Sequence, residues 1–178
     1  MKSFRDFFTN TILILLVIAY FVISGVMYFG KGGLMDIYSL SGMMIPDLNI
    51  VHTKDGLLEM FDAWGPQGRL YYVRYQYRDF IYPMIYSALM TGTLVRLIRP
   101  VSFNLWVVIP SFAMIFDFME NYYLRVLVYD YPNLIPHNIS MATLFSSLKW
   151  TFIAFSLILI FIAWLNRNKK YRRKSHSN

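Results

Sequence analysis

Asp117, Glu120 and Asn121 stand in the run Asp-Phe-Met-Glu-Asn, inside an apolar stretch at about residues 103–128. Carboxylates at hydrocarbon depth are costly, so they face a protein interior or a wet cavity and have a partner. At 100° per residue, Asp117, Glu120, Asn121, Leu124 and Arg125 share one helix face. A later apolar run, 141–165, carries Lys149 and travels the opposite way. If the two runs meet the outer boundary at Val128 and Met141, Glu120 and Lys149 both lie about 12 Å below it at 1.5 Å per residue. Lys149 is therefore the expected partner of Glu120 or Asp117, with Ser146 and Ser156 near its face. A further group sits earlier in the chain. Tyr71, Tyr75, Arg78, Asp79, Tyr82 and Tyr86 fall on one arc if the helix after Gly68 is continuous, with Pro83 kinking it.

These residue types support several chemistries. Paired carboxylates with a lysine, arginines and tyrosines suit a pocket for a small molecule or lipid headgroup, or a proton or ion relay. In the pocket reading Asp117, Glu120 and Lys149 form the floor, and Arg78, Asp79, Tyr82, Tyr86, Asn121 and Arg125 the wall. Arg78 and Arg125 would then favour an anionic group, since guanidinium presents paired donors. An enzyme acting on a lipid-borne substrate, with Glu120 or Asp117 as base, is a second reading. A structural cluster in an accessory subunit, fixing helix register, is a third. The tyrosines also fit an interfacial aromatic belt. His52 and His137 lie outside the apolar runs, and no Ser-x-x-Lys, His-Glu-x-x-His or Gly-x-Ser-x-Gly pattern occurs. No cofactor is expected, and a hard-cation site on Asp117, Glu120 and Asn121 is disfavoured. Cysteine is absent, which removes disulfides, thiolate catalysis and sulfur-ligated metals.

The elements that must hold these residues are membrane helices. The chain of 178 residues is 57% hydrophobic and 15% charged, against about 25% charged in soluble domains. Apolar runs at about 11–29, 80–98, 103–128 and 141–165 are each near the ~20 residues that a spanning helix needs. An all-α, four-span integral membrane bundle follows as one domain. The first run is longer than a signal-peptide core and lacks a clean cleavage site, so it reads as an uncleaved first helix.

Residues 30–79 form an outer cap between the first two spans. Gly30, Gly32 and Gly33 end the first helix, Asp55–Trp64 reads as a short amphipathic helix, and Gly65-Pro66-Gln67-Gly68 breaks it. Residues 166–178 form a basic tail whose last four residues are expected to lack fixed structure.

Charge sets the orientation. Lys2, Arg5, Arg96, Arg99, Arg167, Lys169, Lys170, Arg172, Arg173 and Lys174 share their side with one acid, Asp6. The other connections hold Lys31, Lys54, Arg69, Arg74 and Arg78 against seven acids. The positive-inside rule puts both termini in the cytoplasm. The net charge of +7 comes largely from the tail, which suits anionic membrane lipid. No aromatic-interleaved fold accompanies the basic run, so nucleic acid is not an expected partner. A protein partner or homo-oligomer stays open. Short loops and compact size favour a bacterial cytoplasmic membrane.

Gly65-Pro66-x-Gly68-Arg69, Tyr72, Asp79, Pro83 and Tyr86, then Asp117-x-x-Glu120-Asn121 and Lys149-Trp150, resemble a group of small, uncharacterised bacterial four-span membrane proteins. The resemblance covers most of the chain and implies a four-helix bundle without implying an activity. A large first and small second outer loop is also similar in plan to claudin-type tetraspans. The Trp-x-x-Leu-Trp and paired-cysteine pattern of that group is missing.

Overall fold

The computed structural model describes residues 4–98 and 105–175, with side chains for 6–98 and 106–167. Lys2, Arg99, residues 103 and 104 and residues 176–178 lie outside the described residues. So do the side chains of Arg5, Lys169, Lys170, Arg172, Arg173 and Lys174.

The described chain is helical and contains no strand. A short α1 (Phe4–Phe7) precedes α2 (Asn10–Phe29), whose start is capped by Thr9 Oγ1 accepting from the Ile12 amide at 3.2 Å. After α2 come α3 (Leu34–Ser41), a 3₁₀ turn at Pro46–Leu48 and α4 (Lys54–Asp79). Then follow α5 (Tyr82–Leu97), a 3₁₀ turn at Leu105–Val108, α6 (Ile109–Asp130) and α7 (Pro136–Ser175). Three stretches are long and apolar enough to cross a membrane: Asn10–Ser41, Lys54–Leu97 and Pro136–Arg167. They mark the chain as a membrane protein. α6 has the length, but Asp117, Glu120 and Arg125 along it lower its apolar content.

Two breaks interrupt the helices, the first where the sequence places it at Gly65 and the second at a new place, Phe80–Ile81. Gly65 (φ 61°, ψ −174°) turns α4 sharply in its interior, so Lys54–Trp64 and the segment after Pro66 point differently. That φ/ψ pair is open essentially to glycine alone. The helix then stops at Asp79 instead of running on, and α5 starts afresh at Tyr82 with Pro83 in its first turn. Proline lacks the amide hydrogen, which a first-turn position does not use, so Pro83 begins a helix and does not kink one. α7 is longer at both ends than the expected 141–165 span.

Side-chain contacts fix the helix directions. Tyr20 of α2 stacks on Tyr82 of α5, while Phe8 and Leu13 close around Gly92 further along. α2 and α5 are therefore antiparallel. Phe80 meets Phe118 and Thr91 donates to the Val107 carbonyl at 3.3 Å, which makes α5 and α6 antiparallel as well. Phe112, Phe116 and Tyr123 stack along Phe152 and Phe145, setting α7 antiparallel to α6. The main core lies at the cap end. Ile37, Ile45, Leu57, Phe61, Trp64 and Tyr72 pack there on Leu124, Leu127 and Ala142. It anchors the cap to α6 and α7 by burial of large apolar side chains, each worth about 1.5–3 kcal/mol.

Candidate functional site

Beneath this core lies a chain of buried polar side chains. Glu120 and Asn121 are fully buried, and Asp117 and Lys149 are each 4% exposed. Lys149 Nζ makes an ion pair with Glu120 Oε2, lies 4.0 Å from Asp117 Oδ1 and donates to the Asp47 carbonyl at 3.3 Å. One ammonium thus serves three acceptors on α6 and the 3₁₀ turn. Ser146, one turn before Lys149, donates to Glu120 Oε1, and the His52 ring bonds the same hydroxyl at 2.9 Å.

Asn121 links two carboxylates. Its Nδ2 donates to Asp79 Oδ2 at 2.8 Å and to Asp117 Oδ1 at 3.3 Å. Asp117 Oδ2 accepts from the Tyr86 hydroxyl at 2.9 Å. On the cap side Tyr72 donates to Asp47 Oδ2 at 2.6 Å. Gln76 donates to Tyr72 and to the Asn121 carbonyl, both at 3.2 Å. Four carboxylates, Asp47, Asp79, Asp117 and Glu120, therefore share a site in which Lys149 pairs with Glu120 and Asp117.

Asp47 and His52, both outside the spanning helices, have displaced titrations. Burial pushes the Asp47 carboxyl up, with Lys149 and the Tyr72 hydroxyl opposing. Burial, then the Lys149 charge, pushes His52 down to about 4, so its imidazole is neutral at pH 7. Some buried atoms have no hydrogen-bond partner, among them Asp47 Oδ1 and Trp150 Nε1.

The polar chain closes one end of a cavity of about 670 Å³ between α2, α5 and α7. Asp47, Asp79, Asp117 and Lys149 line this end, with Tyr75, Tyr82 and Tyr86 beside them. The far part is apolar: Val17 on α2, Leu89 and Met90 on α5, and Ile153, Leu157 and Ile160 on α7. Lining residues extend from Val17 to Tyr28, Tyr82 to Thr93 and Lys149 to Ile160, eleven helical steps on each helix, or about 16 Å of rise. The space is within the roughly 300–1,000 Å³ common for ligand sites.

The residues singled out from sequence divide into three sets. Asp79, Asp117, Lys149, Tyr82 and Tyr86 line the cavity. Glu120 and Asn121 stand behind that wall and orient it. Arg78 and Arg125 are outside the lining. Arg78 turns to the Lys31 carbonyl at 2.6 Å. Arg125 bonds Gln76 Oε1 at 3.2 Å and sits over the Tyr77 and Phe80 rings. Tyr75 and Asp79 before the break at Phe80–Ile81 and Tyr82 and Tyr86 after it still line one cavity. Asp47, Tyr20, Ser24 and Trp150 line the cavity without having been singled out. Asp47 follows Pro46 and reads as an ordinary turn acid; only its tie to Tyr72 distinguishes it. Among the described residues no group of three or more His, Asp or Glu side chains is arranged to hold a metal ion. Comparison of the chain with known protein families, curated proteins and solved structures finds no match.

Proposed function

We propose that this protein crosses the membrane four times, through α2, α5, α6 and α7, with both termini in the cytoplasm. In this reading the cavity binds a small molecule or the polar head of a lipid in the outer half of the membrane. The antiparallel packing of α6 along α5 and α7 supports its membrane depth, since its charged face is turned to the protein interior where such charges belong. The basic residues on the α7 end support the orientation, and a bacterial cytoplasmic membrane remains the proposed location.

The observation that carries the binding role is the cavity's division into a charged end and a long apolar end. A purely structural polar cluster needs no adjoining apolar space. An amphiphile needs both. The second reading, an enzyme on a lipid-borne substrate, draws on Asp117, held between Tyr86 and Lys149 at the cavity wall.

Photolabelling tests the proposal. An alkyl-diazirine amphiphile added to the protein in nonionic micelles should label peptides carrying Leu89, Met90 or Ile153. The substitution Met90→Trp, which fills the cavity, should remove that label and leave the label on the exposed Phe21 and Phe161 faces. Labelling confined to those outer faces would overturn the pocket. A probe recovered with changed head chemistry would favour the enzyme reading.

A further inference from the structure

We propose that the cavity selects amphiphiles whose head ends in an ammonium group, held between Asp47, Asp79 and Asp117 and the tyrosine rings. This rests on the pocket reading above and names the ligand's chemistry.

The charge at the polar end is unbalanced. Lys149 is committed to Glu120 behind the wall and reaches Asp117 only at 4.0 Å. No described cation makes an ion pair with Asp47 or Asp79. Asp47 is 6% exposed, and its Oδ1 is a buried acceptor with no donor, on a residue that lines the cavity. Buried carboxylates call for hydrogen-bonded counter-charge. An ammonium head brings three donors on one positive centre, which suits a cavity end lined by carboxylates from three elements. Two alternatives fit worse. A metal ion lacks a ligand set among the described residues. An anion would face three carboxylates, while Arg78 and Arg125 lie outside the lining.

The rings supply a second, independent reason. Tyr75, Tyr82 and Tyr86 border the acidic end, and Tyr20 stacks on Tyr82 with ring centroids 5.4 Å apart. Trp150 also lines it, and its ring already attracts the Lys149 ammonium, with Nζ 5.4 Å from the centroid. Aromatic faces around carboxylates are the chemistry that recognises organic ammonium ions. The apolar length along α5 and α7 then takes a single alkyl chain.

The test is displacement of the diazirine photolabel in dodecyl maltoside micelles by dodecylammonium, dodecanol and dodecanoate. Dodecylammonium should displace it at a mole fraction at least about tenfold below the other two, the ratio that one close charge-assisted contact gives. Asp47→Asn keeps the size and an acceptor for Tyr72, and should reduce that preference while dodecanol still displaces. Phosphatidylethanolamine beside phosphatidylglycerol identifies the source. Displacement by the ethanolamine lipid points to a membrane headgroup, and displacement by dodecylammonium alone points to a free amine; either supports the ammonium assignment. Equal or better displacement by dodecanoate, or an unchanged preference in Asp47→Asn, overturns it and leaves the pocket standing. Failure of every amphiphile to displace the label removes the pocket as well. The wild-type head series decides the point if Asp47→Asn does not fold.

Discussion

Removing Lys149 should cost more than removing Glu120, and removing both should cost less than the sum. Lys149→Met deletes the ammonium that faces Glu120, approaches Asp117 at 4.0 Å and bonds the Asp47 carbonyl at 3.3 Å. It leaves buried carboxylates without their counter-charge, and breaking such a pair costs about 3–5 kcal/mol. Glu120→Gln keeps an acceptor for Ser146 and leaves Lys149 with Asp117, so its cost is that of an imperfectly satisfied buried group, about 1–3 kcal/mol. In Glu120→Gln/Lys149→Met neither partner of the pair carries charge, and the coupling should reach about 1–3 kcal/mol. Reversible unfolding in mixed micelles of dodecyl maltoside and dodecyl sulfate measures all four corners of the cycle. Additivity to within about 0.5 kcal/mol would refute the pairing. A larger loss for Glu120→Gln than for Lys149→Met would refute the hub role of the lysine.

Other predictions follow from the cap and its junction. His52 has a folded pKa of about 4 against 6.5 for a free imidazole. The unfolded chain therefore takes up a proton first as pH falls, and His52 contributes stability that is complete above about pH 6.5 and lost between there and pH 4. Asp47, pushed up by burial, acts oppositely, with stability present at low pH and declining as pH rises past the free carboxyl value. Comparison with His52→Gln isolates the histidine: wild type should lose stability relative to the variant between pH 6.5 and 4, and parallel curves would contradict its burial as a neutral ring. Gly65→Ala should lower stability by about 1–3 kcal/mol through backbone strain alone, since no atom lies within 4 Å of the added methyl. An unchanged melting temperature would mean that the chain does not turn there through a left-handed residue.

The Glu120–Lys149 pair was legible in the sequence for a physical reason. Helix rise is constant, so two residues at similar distances from the short connection between neighbouring antiparallel helices stand at about one level. The same arithmetic mislocated Arg78. It put Arg78 on one arc with Asp79 and Tyr82, and those two do line the cavity, but the long Arg78 side chain reaches the Lys31 carbonyl instead. Proline was correctly a marker of discontinuity, but a first-turn proline and a kinking proline look alike in sequence. The three strongly apolar stretches announced themselves by hydropathy. α6 was legible as a run interrupted by charge, yet those same charges bring it below the apolar content of the others. Asp47 was not legible at all. Its role depends on the cap folding back so that a turn residue meets Tyr72 on α4 and Lys149 on α7, contacts 25 and 102 positions away. No local pattern encodes such distant closure.

The most direct measurement on the binding role is native mass spectrometry of the protein extracted gently from its own membrane. Wild type would be measured beside Met90→Trp, which fills the cavity, and Phe161→Trp, on a face 57% exposed. The expected result is a discrete adduct of defined mass on wild type and Phe161→Trp that is missing from Met90→Trp. An adduct of equal occupancy on all three, or on none, would contradict a ligand in this cavity.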